Sequence, residues 1–239
     1  MFDYSGRSVL VTGGTSGIGA AIATAFVEAG AEVTITGMRD SAADYDGLPA
    51  GVAYRPLRLD VRETVLALAG GFEALDVLVN NAGRTTVPED FDTAVDANLK
   101  GVHALIQACL PMLARSDQRG GGAVVSIASM MAYFGNSMFP GYSASKAGLL
   151  LLTRSLAQGW GGRNVRLNVV APGPVRTPMT IRYADDPTYG PGTAQRMALG
   201  RWGEPKDIAA PVLFLAGPGA AFITGECLPV SGGYMIAEA

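Results

Sequence analysis

The chain has 239 residues, and its 18 Lys+Arg against 21 Asp+Glu leave a net charge of −3, so no basic field is available to hold nucleic acid or an anionic membrane surface. Apolar residues make up 49% and charged ones only 16%, which excludes a disordered or acidic-tail protein and gives enough material for a full core without disulfides or metals. The 32 glycines and 14 prolines are too many for a helical bundle.

In chain order, residues 8–12 read as a short apolar strand, followed by a Gly-rich turn and a helix over 17–29 closed by Gly30 as its C-cap. Strands follow at 32–36 and 52–59, then a short helical piece at 63–69. A fourth strand at 77–80 runs into the turn Asn80-Asn81-Ala82-Gly83, and a long helix covers 92–113. A fifth strand at 123–127, a second long helix at 142–160, a sixth strand at 165–170, a helix at 205–215 and a last strand at 226–230 complete the pattern. Strands alternating with helices imply right-handed βαβ units on a parallel sheet. The expected fold is α/β: one Rossmann-like, doubly wound parallel sheet of seven strands flanked by helices, forming a single domain over 1–239. Only Arg7 is basic near the start, and Val9-Leu10-Val11 is too short for the core of a signal peptide. The long uncharged stretches 120–145 and 208–225 are broken by Gly and Pro, so no membrane span is expected and cytoplasmic residence follows. Cys109 and Cys227 read as buried core thiols. With His103 the only histidine and no Cys/His cluster, no metal site is expected.

In an open parallel sheet, ligands bind beyond the carboxyl ends of the strands. The first such end carries Gly13-Gly14-Thr15-Ser16-Gly17-Ile18-Gly19. Glycine lets the backbone turn sharply and lets a pyrophosphate approach it. The helix that follows points free N–H groups and the positive end of its dipole at the phosphates. The spacing is Gly-x-x-x-Gly-x-Gly, and the stretch beginning at Thr12 resembles the short-chain dehydrogenase/reductase family. Further matches follow along nearly the whole chain: Asp60-Val61, the Asn80–Gly83 turn, Asn98 in an Asn-Leu-Lys-Gly segment, Ser129, Tyr142-x-x-x-Lys146 and Pro172-Gly173.

Tyr142 and Lys146 lie four apart on a predicted helix and so share a face. A free phenol, with a pKa of about 10, is a poor base at neutral pH, and a nearby ammonium favours the phenolate. Such a pair can move an alcohol proton near neutrality. The resemblance implies the remaining roles. Tyr142 is the general acid/base, and Lys146 lowers its pKa and binds the nicotinamide ribose. Ser129 donates to the substrate oxygen, and Asn98 holds a water that links Lys146 to solvent. Asp60 and Val61 hold the adenine, and Asn81, Ala82 and Gly83 lie along the cofactor. In the loop Pro172-Gly173-Pro174-Val175-Arg176-Thr177, Val175 and Thr177 hold the carboxamide. Ser126 and Ser143 are discounted as rivals of Ser129, the first as an interior strand residue and the second as pointing away from the Tyr142/Lys146 face.

At the end of the second strand, where an acidic residue would select NAD(H), the chain has Gly37-Met38-Arg39. Arg39 offers its guanidinium to a 2′-phosphate, although Asp40 adjoins it and Ser16 is not basic. The expected cofactor is NADP(H), with NAD(H) the alternative. The same resemblance implies that Met130, Met131, Ala132, Tyr133 and Phe134, together with Met179, Ile181, Tyr183 and Met197 in a mobile flap, wall the substrate cleft, and their apolar, adaptable side chains suit an apolar substrate. Arg182, Arg196 and Arg201 are available there to a phosphate or carrier. The expected activity is interconversion of a ketone and a secondary alcohol, as in a 3-oxoacyl reductase or another alcohol dehydrogenase. A cofactor-binding sensor or scaffold without turnover is the alternative from another class, disfavoured because Ser129, Tyr142 and Lys146 are all retained. An enoyl-thioester reductase is disfavoured by the close Tyr/Lys spacing, and an extended-branch epimerase by length. The apolar surfaces of the two long helices, with the family's assembly mode, imply a homodimer or homotetramer.

Overall fold

The computed structural model describes residues 2–234. Seven strands form one sheet in the order β3-β2-β1-β4-β5-β6-β7. These are β1 Ser8–Val11, β2 Glu32–Gly37, β3 Val52–Pro56, β4 Val77–Asn80, β5 Gly122–Ile127, β6 Val165–Pro172 and β7 Cys227–Val230. All six pairings are parallel, as expected when helices connect successive strands. The order runs outward from β1 to β3 and then returns to place β4 on the other side of β1. The connections leaving β1 and β4 therefore diverge and open a crevice at their carboxyl ends.

Side chains alternate across the sheet and fill two separate cores. Val9 and Val11 of β1 face α1 (Gly17–Glu28) and α8 (Pro205–Ala216), packing with Ile22, Phe26 and Val212. Leu10 faces the opposite way, toward α2 (Arg62–Gly70), α4 (Val102–Leu113) and α5 (Pro140–Trp160), and packs with Val65, Leu105, Ile106 and Leu149. Burying each side chain of this size contributes about 2 kcal/mol.

Three sequence expectations change. The helix expected over 92–113 is divided into α3 Phe91–Val95, a wide π turn over Asp96–Gly101, and α4. The π turn buries Asn98 and brings Gly101 against the Leu59 carbonyl, too close for any Cβ. The third strand stops at Pro56 rather than 59, because its neighbour β2 stops at Gly37 and leaves nothing further to pair with. Cys109 is buried as expected, but Cys227 is only partly buried, and its sulfur accepts a hydrogen bond from the Tyr133 hydroxyl at 3.0 Å. Two short helices, α6 Ile181–Ala184 and α7 Tyr189–Gln195, occupy the segment read as a flap. Among the described residues no helix is long and apolar enough to cross a membrane.

Arg166 on β6 is buried and has no carboxylate partner among the described residues. Its guanidinium donates instead to five backbone carbonyls, those of Gly120, Leu215, Ala216, Gly217 and Ala220, at 2.7–3.3 Å. Three of them belong to the last turn of α8 or its cap, where carbonyls lack intrahelical donors and the dipole favours a cation. Arg166→Met fills similar volume but strands those acceptors, and should cost about 3 kcal/mol. Urea unfolding with an unchanged m-value is the measurement; a loss below about 1 kcal/mol would show that water replaces the guanidinium.

Candidate active site

The crevice is held shut at its base by one threonine and one asparagine. Thr12 Oγ1, just past β1, accepts from the backbone N–H groups of Asn81 and Ala82 at 3.0 Å each. Asn81 Nδ2 returns bonds to the Thr12 and Gly13 carbonyls at 3.0 and 3.1 Å. The Gly-rich loop and the turn after β4 are thereby fixed to one another. Gly13 has φ +65°, and a Cβ there would stand 2.9 Å from Ala82 Cα. At Gly19 a Cβ would fall on the Gly13 carbonyl and the Asn81 amide. Ser16 precedes α1 in extended conformation without capping it, and the first turn, including Ile18, holds no acidic side chain. Its amides are open to an anion.

At the end of β2, a side chain on Gly37 would run into the Tyr45 hydroxyl and, at 2.8 Å, into Thr15 Cγ2. An aspartate is therefore excluded there by packing, and Tyr45 occupies its place. The same Tyr45 hydroxyl accepts from the Arg39 backbone N–H at 2.9 Å, and the Arg39 guanidinium lies 4.8 Å from the Tyr45 ring centroid while donating to the Asp44 carbonyl. Met38 is exposed beside it. Past β3, Asp60 pairs with Arg58 at 3.1 Å and Arg84 at 3.7 Å; the Arg58 hydrogen bond holds its carboxyl below the usual range. Val61 follows as the N-cap of α2. The short helical piece expected at 63–69 is α2, nine residues long.

Ser129 lies just beyond β5 and caps the turn Met130–Ala132, its Oγ accepting from the Met131 N–H at 3.1 Å. Tyr142 and Lys146 are one turn apart on α5, with the Lys146 Nζ 5.5 Å from the Tyr142 ring centroid. Lys146 is buried, and its ammonium donates to the Ile127 carbonyl at 2.8 Å. A Cβ on Gly83 would lie 3.4 Å from Asn98 Oδ1 and 3.5 Å from Lys146 Nζ, so the amide, the ammonium and the turn after β4 meet at one point. Asn98 is committed through both polar atoms. Its Oδ1 accepts from the Arg84 N–H and its Nδ2 donates to the Arg84 carbonyl, each at 2.7 Å. The Asn98 side chain thus anchors the backbone at Arg84. Ser126 is occupied by Asn80 at 3.3 Å, and Ser143 Oγ is buried without a partner.

Burial raises the Tyr142 phenol above its ordinary value, with Ser129 acting in the opposite direction. Lys146 itself is pushed down to about 8 by burial.

Pro172 ends β6, and Gly173 abuts Ser231. The following loop folds back: Val175 pairs with Gly203, its carbonyl accepts from Thr180 Oγ1 at 2.5 Å, and the Thr177 and Thr180 hydroxyls are 3.0 Å apart. Gly17 would carry a Cβ 3.3 Å from Thr177, which sets this loop over the Gly-rich loop. Of the expected cleft residues, Met130 and Met197 are core, while Tyr133, Phe134, Met179 and Ile181 are exposed. Arg182 lies 4.6 Å from the Tyr183 ring centroid, Arg196 lies 4.8 Å from that of Tyr234, and Arg201 pairs with Asp207 at 2.7 Å. Sequence reasoning missed Tyr45, Arg84 and Glu89. Only a Cβ collision or a long-range hydrogen bond reveals them.

The family model described as enoyl-(acyl carrier protein) reductase matches residues 13–235. The chain belongs to the short-chain dehydrogenase/reductase family. It is 34% identical to the 3-oxoacyl-(acyl-carrier-protein) reductase of Thermotoga maritima, over 97% of this chain and 98% of that protein. It is 36% identical to a 3alpha-hydroxysteroid dehydrogenase of Mediterraneibacter gnavus, over 95% and 96% of the two chains. Among solved structures, the Pseudomonas aeruginosa RhlG/NADP active-site complex superposes with a TM-score of 0.87 at 31% identity, covering 98% of each chain. As a short-chain dehydrogenase/reductase, the protein is an NAD(P)-dependent oxidoreductase acting at CH–OH groups.

The Lys146 shift gives a stability signature. Between pH 8 and 10.5 the unfolded chain still binds a proton that the folded chain has lost, so stability rises with pH across that window. The parent should gain on the order of 3 kcal/mol relative to Lys146→Met between those limits. Urea midpoints of both proteins at several pH values test this, and parallel curves would contradict it.

Proposed function

We propose that the protein interconverts ketones and secondary alcohols, with Tyr142 as general acid/base and NADP(H) preferred over NAD(H). The observation that carries this reading is the convergence of Ser129, Tyr142 and the buried Lys146 beside an uncapped helix N-terminus. The residues fit a dinucleotide. The 13–19 loop, with Gly13, Thr15, Ser16, Gly17, Ile18 and Gly19, would take the pyrophosphate on open amides where no Cβ intrudes. Asp60 and Val61 would meet the adenine, Asn81, Ala82, Gly83 and Lys146 the ribose side, and Pro172, Gly173, Val175 and Thr177 the carboxamide. When bound, the nicotinamide supplies or accepts the hydride.

The chain's own residues handle the proton. In reduction the Tyr142 phenol gives its proton to the substrate oxygen while the Ser129 hydroxyl donates a hydrogen bond to the same atom. A phenol that burial keeps protonated is already in the form reduction requires. Lys146, whose ammonium burial pushes down to about 8, is suited to replacing that proton. The one-turn separation of Tyr142 and Lys146 favours carbonyl over enoyl reduction. The exposed apolar side chains of Phe134, Met179 and Ile181 fit a largely apolar substrate, such as a 3-oxoacyl compound. Exposed Leu151 on α5, with Phe214, Phe222 and Leu228 near β7, suits assembly into a homodimer or homotetramer. Two free cysteines fit a cytoplasmic enzyme.

Tyr142→Phe should lower kcat for reduction of a 3-oxoester by about a thousandfold while still binding NADPH. Stopped assays at 340 nm with nucleotide fluorescence check both, and full activity in the variant would remove Tyr142 from the reaction. Separately, kcat/KM with NADPH should exceed that with NADH by about tenfold or more, and Arg39→Ala should lower only the NADPH value, by about ten- to hundredfold. A preference for NADH reverses the cofactor assignment.

A further inference from the structure

We propose that Glu89 is a positioning residue for Tyr142: its carboxylate fixes the start of α5 and thereby the place of the phenol. This rests on Tyr142 as the acid/base. Glu89 Oε2 accepts from the Gly141 N–H at 2.6 Å and Oε1 from the Tyr142 N–H at 2.8 Å. One oxygen thus binds the backbone of the proposed acid itself. The contact is not a local cap, since donor and acceptor are 52 and 53 residues apart. The N-cap Phe139 offers no side-chain acceptor, and the first turn of α5 contains no acidic residue. The orphan amides of that turn depend on a carboxylate supplied from elsewhere in the fold.

Glu89 is itself held. It belongs to the stretch 84–91, which leaves the turn after β4 and leads into α3. At one end, Asn98 grips both the N–H and the carbonyl of Arg84. At the other, Thr86 Oγ1 accepts from the Asp90 N–H at 2.9 Å, and Phe91 lies under α5 so closely that a Cβ on Gly141 would stand 3.1 Å from the Phe91 Cα. The stretch therefore runs from Asn98 to the N-terminus of α5 and joins the two sides of the crevice. A shift of an ångström at the reacting atoms is costly in rate, whereas a nucleotide held mainly by the 13–19 loop does not sense it.

The test uses the full-length enzyme, NADPH and ethyl acetoacetate, with Glu89→Gln, Glu89→Ala and Tyr142→Phe in parallel. Glu89→Gln keeps one acceptor, so kcat should fall about tenfold, and Glu89→Ala should fall further, to about a hundredfold, with KM for NADPH within about twofold in both. Graded rescue by Gln together with the split between kcat and KM supports positioning. A kcat within twofold of the parent in Glu89→Gln overturns the proposal, including the case where Glu89→Ala does not fold. Equal losses in kcat and NADPH affinity overturn it as well, since they indicate general loosening. If Tyr142→Phe is inactive while the Glu89 variants are not, this inference alone fails. If Tyr142→Phe stays active, the acid/base reading fails instead.

Discussion

A buried lysine ammonium that donates to the Ile127 carbonyl is the feature around which the crevice is organised. Desolvating a cation is costly, and here burial pushes Lys146 down to about 8. The position is held by the rigidity of its surroundings. The carbonyl comes from the end of β5, in the middle of the sheet, and α5 lies across the core formed by Leu149, Leu105 and Leu167. The cost in stability places an ammonium shifted down to about 8 next to a phenol that burial shifts upward. The same low polarity accounts for both shifts, in opposite directions, because it disfavours ammonium and phenolate alike.

The second organising element is the set of bonds that cross the switch point. Thr12 and Asn81 tie β1 to the turn after β4, Asn98 ties Arg84 to the π turn, and Glu89 ties the same stretch to α5. Each uses a polar side chain to satisfy backbone groups that no strand or helix completes. The Gly-rich loop and α5 thus share one continuous network. The π turn belongs to it: widening the helix at Asp96–Gly101 brings Asn98 inward to the Arg84 backbone and seats Gly101 on Leu59.

Much of this was legible in the residues. Short apolar runs at 8–12 and 77–80 and the helical stretch at 142–160 placed strands and helices within a few positions, because a strand buried on both faces leaves a continuous apolar run and a flanking helix leaves a periodic stripe. Tyr142 and Lys146 were readable because one helical turn is a fixed geometry. Glu89 was not: it stands 52 residues from Gly141 and resembles any exposed acid. Tyr45 was hidden likewise, since only the packed end of β2 shows that Gly37 has no room for a side chain.

The amino-acid order alone determined the seven-stranded parallel sheet, the Gly-rich turn and the one-turn spacing of Tyr142 and Lys146, all of which rest on local spacing and periodicity, while the choice of Ser129 rested on the family resemblance. The fold decided the direction of the Tyr142 shift, the engagement of Asn98 with the Arg84 backbone, and the residues that anchor α5. Desolvation and long-range hydrogen bonds exist only once distant segments are packed together, so no local pattern carries them.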